Sequence, residues 1–136
     1  ALADDEILVE VRIPIPTGRQ EACYRRIART SVDIALTGVA VALTLDGEGR
    51  IGQARIALGA VAPFPLRSQA TEKMLEGTVL AGVDGALLVA AGERAAADAR
   101  PISDLRASAD YRRQMVRVLT RRAIEQAVGK LMREVA

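Results

Sequence analysis

The chemically active side chains of this sequence crowd into one stretch: Cys23, Tyr24, Arg25, Arg26, Arg29 and Asp33. A thiol near several guanidiniums is a setting in which a cysteine pKa falls. Nucleophilic catalysis by cysteine or serine also needs a neighbouring base, and the chain has no histidine. Cys23 therefore reads as an incidental cysteine. Because it is the only one, no internal disulfide forms. One cysteine and no histidine also exclude a structural zinc site or an iron–sulfur cluster held by this chain alone. Asp33 and Asp104 lie too far apart in sequence for spacing to argue a carboxylate pair. Gly47-Glu48-Gly49 is a lone GxG in a turn-like stretch, and no phosphate-cradling GxxxxGK[ST] is present. The isolated chain thus holds no self-sufficient active site.

A second charged group lies near the C-terminus. Between Tyr111 and Ile124 there are five arginines and no acid, whereas the first ten residues hold Asp4, Asp5, Glu6 and Glu10 and no base. Arg113, Arg117 and Arg121 recur at i, i+4, and Glu125 extends the row toward a pair with Arg121. A solvated helix face explains that spacing. Net charge is only +2, with two tyrosines, one phenylalanine and no tryptophan for stacking, so nucleic acid is not an expected partner.

The elements that carry these residues centre on Asp33–Pro65, which reads as a β-hairpin. Val39, Val41, Leu43 and Leu45 alternate with Ala40, Ala42 and Thr44. Asp46-Gly47-Glu48-Gly49-Arg50 supplies a five-residue connection. The return strand places Ala54, Ile56, Leu58 and Ala60 on one face and Gln53, Arg55, Ala57 and Gly59 on the other. Ile34 and Leu36 run in the opposite phase to Val39, which predicts a bulge at Gly38. Upstream, Ile7–Ile13 alternates as a strand ended by Pro14 and Pro16. Thr17 is placed to cap a helix over Gln20–Ala28, with Arg25, Arg26 and Arg29 at its C-terminal end, where the helix dipole favours cations. Downstream, Pro63-Phe64-Pro65 forms an elbow, and Ser68 caps a short helix over Gln69–Glu76 closed by Gly77. A second, Ala-rich helix runs over Gly82–Ala99, opened by Asp84. A long helix runs from Ala109 to Glu134, capped by Ser108. Its expected apolar stripe is Tyr111, Met115, Val118, Leu119, Ala123, Ala127 and Leu131. These helices are expected to cover the hairpin faces. The natural boundary is Pro14–Gly18, dividing residues 1–18 from a compact unit over 19–136. No run of about 18 apolar residues predicts a membrane span, and the acidic N-terminus lacks a signal-peptide core, so the expected location is cytoplasmic.

Taken together, YRRIARTSVDIALTGVA (Tyr24–Ala40), ALGAVAP with Pro65 and Arg67, Glu72 with Leu75-Glu76-Gly77, and Tyr111-Arg112 are similar to the C-terminal domain of the FAD-binding medium subunit of molybdenum hydroxylases. This is the family of carbon monoxide and xanthine dehydrogenases. The resemblance spans about Glu6 to Val128. It implies an α+β fold, a three-stranded antiparallel sheet with a layer of about three helices. Residues 1–18 would then be the last strand and linker of an upstream FAD-binding domain. It implies a multi-subunit oxidoreductase, not catalytic as an isolated chain. FAD would take electrons from an iron–sulfur subunit and pass them to an acceptor, with substrate oxidised on a molybdopterin-containing large subunit. The glycine-rich segments that hold the FAD pyrophosphate in that family are not in this sequence. Arg25 and Arg26 both stand near the family's flavin-approaching basic residue, usually lysine, and which one corresponds is open. The alternative is a subunit-docking or scaffold module with no FAD of its own.

Overall fold

The structure is a computed structural model that describes residues 2–13, 15–16 and 18–133. The expected hairpin is its centre. β2 (Thr37–Leu45) and β3 (Ile51–Gly59) pair antiparallel through the predicted five-residue connection. The sheet has four antiparallel strands rather than three, in the order β1-β2-β3-β4. Beside the two hairpin strands stand β1 (Gln20–Ile27) and a two-residue β4 (Leu66–Arg67).

β1 replaces the expected helix over Gln20–Ala28. The segment QEACYRRI is locally helix-compatible, but it pairs residue by residue with the free edge of β2, from Gln20↔Thr44 to Ile27↔Thr37. A non-local ladder outweighs a weak local preference. Arg25 and Arg26 therefore point to opposite faces of a sheet, and the helix-dipole account of them lapses. Thr17 and Pro14, assigned as a cap and a strand end, lie outside the described residues. Ile7–Ile13 forms no strand: among the described residues nothing pairs with it, and Ile7, Val9, Val11 and Ile13 are exposed. A strand without a neighbour has nowhere to place its ladder hydrogen bonds.

The register runs unbroken through Gly38, opposite Arg26 and Gly59, so the expected bulge is not there. The shift falls where Thr44 faces Gln53 but Leu45 faces Ile51, leaving Gly52 as the extra residue. The phase change before Gly38 marks only the strand's beginning at Thr37.

The helices follow the sequence reading closely: α1 (Gln69–Leu75), α2 (Gly85–Asp98) and α3 (Ala109–Arg133), with a 3-10 turn at Leu80–Gly82 ahead of α2; Glu134, the expected end of the last helix, lies outside the described residues. Asp84 caps α2 by accepting from Leu87 N, and Ser108 Oγ accepts from Tyr111 N at the start of α3. The Ser68 side chain makes no capping bond. Its hydroxyl joins Thr71 Oγ1 and Asp98 Oδ2 instead, each at 2.7 Å.

The helices cover one face of the sheet only. Val39, Val41 and Leu43 of β2 and Ala54, Ile56 and Leu58 of β3 pack against Leu75, Ala91, Ala95, Val116, Ile124 and Leu131. The buried stripe of α3 is Arg112, Val116, Leu119, Thr120, Ala123, Ile124, Ala127, Val128 and Leu131. It is rotated from the predicted stripe at the N-terminal end, where Tyr111 is 41% exposed and Arg112 is buried. The absence of a side chain at Gly92 lets α2 and α3 approach closely: a Cβ there would lie 2.7 Å from Arg117 O. No helix among the described residues is long and apolar enough to cross a membrane.

The sidedness of β3 yields a direct expectation. Ile56 is fully buried, and Ile56→Asp puts an unpaired carboxylate in an aliphatic interior at a cost of several kcal/mol, comparable to the stability of a small domain. The variant should lose its cooperative thermal transition in circular dichroism. A variant that melts cooperatively near the wild-type temperature would mean that the faces are assigned the wrong way round.

Candidate functional site

The uncovered face of the sheet is built from the alternate positions of the same strands. In register across it lie Tyr24, Ala40, Ala57 and Arg67, one from each strand. The next row is Ala22, Ala42 and Arg55, and on the other side lie Arg26, Gly38 and Gly59. Small residues thus pave the middle, with larger polar ones on the flanks. The result is a trough of about 520 Å³ floored by Ala22, Ala40, Ala42 and Ala57, with Tyr24 on one side and Arg55 and Arg67 on the other. Three strand spacings separate the β1 and β4 sides, so the trough is ~14 Å across. Tyr24 lies over Gly38, where a Cβ would come within 2.7 Å of the phenol oxygen. The missing side chain at Gly38 gives the ring a place to lie along the sheet, while Tyr24 itself stays 62% exposed.

One wall of the trough is fixed by an ion pair. Arg67 donates from Nε to Glu72 Oε1 at 2.6 Å and from Nη2 to Glu72 Oε2 at 2.8 Å, a bidentate fork. Glu72 Oε1 also accepts from Ile56 N at 2.8 Å. Burial alone pushes the Glu72 carboxyl up. The Arg67 fork, the Ile56 N–H and the nearby charges of Arg67 and Arg55 outweigh that and hold it below the usual glutamate range. Its hydrogen bond to Glu72 correspondingly holds the Arg67 guanidinium above its ordinary value, against the effect of burial.

A second ionic cluster gathers three loops at one end of the sheet. Arg112 of α3 is buried and donates from Nη1 to the carbonyls of Leu36 and Ala60 and from Nη2 to Asp104 Oδ1. Its Nε has no partner among the described residues. Ala60 has φ +60°, a left-handed conformation costly for a residue with a side chain, and the guanidinium bond to its carbonyl helps hold it. Backbone N–H groups of Arg106 and Ala107 and the Arg112 charge hold the Asp104 carboxyl below its ordinary value.

The residues singled out from sequence divide between the faces. Arg26 belongs to the uncovered face, at its edge, and donates to the carbonyls of Ser31 and Asp33 in the following loop. Arg25 belongs to the helix-covered side, opposite Val39. Arg29 pairs with Asp33 at 3.4 Å. Cys23 is buried. The Arg113, Arg117 and Arg121 row lies on the helix layer, away from the trough. It is more than a solvated face: Arg117 pairs with Glu93 of α2 at 2.6 Å, and the stem of Arg121 packs beside Gly92. Glu125 forms no recorded pair with Arg121 among the described residues. Sequence reasoning missed Arg55, Arg67 and Glu72 as one group. The available signal was the polar phase of the second hairpin strand, which already put Arg55 opposite the core face. No group of three or more His, Cys, Asp or Glu side chains converges as a metal site among the described residues.

Residues 22–127 match the family described as the CO dehydrogenase flavoprotein C-terminal domain. The carbon monoxide dehydrogenase medium chain of Afipia carboxidovorans is 38% identical over 96% of this chain and 44% of its own length. The putative xanthine dehydrogenase FAD-binding subunit of Escherichia coli is 31% identical over 95% of this chain and 44% of its own. Among solved structures, quinoline 2-oxidoreductase from Pseudomonas putida 86 superposes with TM-score 0.77 at 32% identity, covering 88% of this chain and 40% of that one. The chain thus spans less than half the length of these relatives.

The Glu72 geometry sets an acid dependence. A carboxyl whose folded pKa is depressed adds stability that is complete above its unfolded pKa and is lost as pH falls through the folded value. Urea midpoints should therefore fall on acidification through and below the ordinary glutamate range. Glu72→Gln should cost about 2 kcal/mol at neutral pH and flatten that acid slope. An unchanged slope in the variant would assign the acid sensitivity to other groups.

Proposed function

We propose a function from one premise: the chain belongs to the CO dehydrogenase flavoprotein C-terminal domain family. It is the C-terminal domain of the flavoprotein subunit of a molybdenum hydroxylase-type oxidoreductase, and its uncovered sheet face lies against the flavin-bearing part of that subunit. The partners are an upstream FAD-binding domain, an iron–sulfur subunit that delivers electrons, and a molybdopterin-containing large subunit that oxidises the substrate. The observation that carries this reading is the paved trough. A protein sheet that buries one face under helices and floors the other with alanines offers a flat, apolar bed of the kind a planar ring takes.

The residues fit one half of FAD and not the other. Alanine methyls suit the faces of the isoalloxazine, and Tyr24, Arg55 and Arg67 supply donors at its edge. Among the described residues nothing cradles a pyrophosphate: the glycines with positive φ there are Gly49 in the hairpin turn and Gly77 after α1, both away from the trough. When bound, the flavin supplies the redox chemistry. The chain covers the ring, excludes water and sets the local charge. Of the two arginines that follow Tyr24, strand parity favours Arg26 as the one serving the flavin. Arg25 remains the comparison, and the α3 row serves neither role.

The same trough suits a docking surface that meets another subunit without touching FAD, and binding experiments separate the two. FAD fluorescence should show weak binding or none to the isolated chain, because the pyrophosphate contacts are missing. In the complete FAD-loaded subunit, Arg26→Ala should shift the flavin reduction potential or loosen FAD, with Arg25→Ala measured beside it. Arg117→Ala should leave both unchanged. A shift with Arg117→Ala equal to that of the others would move the flavin edge to the long helix.

A further inference from the structure

We infer that Arg55 and Arg67 form the cationic wall that meets the polar edge of the flavin ring, with Glu72 as the residue that positions Arg67. The inference rests on the trough facing the flavin and adds which residues set its charge. Arg55 stands opposite Ala42, and Arg67 stands opposite Ala57 and through it Ala40. Both therefore rise from the uncovered face, beside the alanine floor.

The charges on this wall do not cancel. Among the described residues Glu72 is the one carboxylate bonded to it, and its two oxygens are already committed to Arg67 and to Ile56 N. Arg55 attracts Glu72 but makes no recorded hydrogen bond or ion pair among the described residues. Two guanidiniums against one carboxylate leave the wall with an excess positive charge. Covering such a face is costly unless the covering group brings an acceptor or negative charge. The pyrimidine edge of a flavin, with its two carbonyls and the nitrogen where negative charge gathers on reduction, supplies both. A diphosphate is the poorer match. It binds best where backbone N–H groups converge, and those of the central strands are engaged in ladders or, at Ala54 and Ile56, by Glu76 and Glu72.

The fork explains why these are arginines and not lysines. Glu72 engages Nε and Nη2 of Arg67, so the guanidinium plane is set from behind while Nη1 keeps its donors for a group in the trough. A lysine keeps the charge and loses the orientation. Glu72 is buried and Arg67 half-exposed, so the rigid partner aims the accessible one.

The test uses the complete, FAD-loaded flavoprotein subunit in its complex, with redox titration of the flavin and FAD content as readouts. Arg55→Gln, an exposed change expected to fold normally, should lower the potential by roughly tenfold in relative stabilisation of the reduced form, ~30 mV for a two-electron couple. Arg67→Gln should do the same. Arg67→Lys and Glu72→Asp keep every charge but break the fork, and each should lower the potential in the same direction. A wild-type potential in both would show that Glu72 is structural only and overturn the positioning role. If Arg26→Ala moves the potential while Arg55→Gln and Arg67→Gln do not, the cationic wall is refuted and the flavin-facing reading survives. If none of them moves it, the flavin lies elsewhere and both fail.

Discussion

The outer edge of β3 is where this fold is most constrained. An edge strand presents backbone N–H groups that must find acceptors, and β4 pairs with β3 at only two positions. Beyond them two glutamates take over, Glu72 on α1 and Glu76 at its C-cap. Glu72 accepts from Ile56 N at 2.8 Å and Glu76 from Ala54 N at 3.3 Å. The chain around α1 completes the edge, with Ser68 N donating to Ile56 O, Ile51 N to Thr78 O and Gly77 N to Ile51 O. A helix side-chain pair thus stands in for a missing strand. It pins α1 to the sheet, and through Arg67 the same carboxylate reaches the uncovered face.

From that edge the two faces diverge. The covered face carries valine, leucine and isoleucine, and the helices close over it tightly enough that Gly92 of α2 meets the backbone of α3. The other face carries alanine and glycine in its middle, with arginine and tyrosine on the flanks. Small residues on a sheet leave little apolar area to bury against a further helix layer. They leave a shallow bed for something flat, and they keep the flanking guanidiniums accessible. The covered face holds the fold together, and the paved one carries the proposed function.

Local patterns were legible in the sequence and non-local ones were not. The hairpin was readable because both strands alternate strictly and their connection is short. The starts of α2 and α3 were readable because Asp84 and Ser108 are N-caps with a local mechanism. β1 is not legible because its alternation is weak: charged residues occupy both phases, Glu21 and Arg25 on one and Arg26 on the other, and only the pairing with β2 reveals a strand. β4 is too short to have a period. The bulge is not legible at its true place because a glycine with a phase change before it looks the same as a strand start. At the site, adjacent Arg25 and Arg26 were indistinguishable until β1 gave them opposite faces. The Arg67–Glu72 fork joins a strand end to a buried helix position, and no hydrophobic pattern marks it. The family resemblance rested on motifs distributed along the chain, so it survived these local errors.

The central claim is that the paved face of the sheet is covered by the flavin-bearing part of the subunit. Thiol labelling tests it most directly. In a Cys23→Ser background, Ala57→Cys places a thiol on the trough floor, and Glu93→Cys places one on the outer helix layer. In the isolated chain both should react quickly with a maleimide. In the complete FAD-loaded subunit the thiol at position 57 should be protected, and removal of FAD should restore part of its reactivity, while the thiol at position 93 reacts as before. Equal labelling of position 57 in the isolated chain and the loaded subunit would contradict the account.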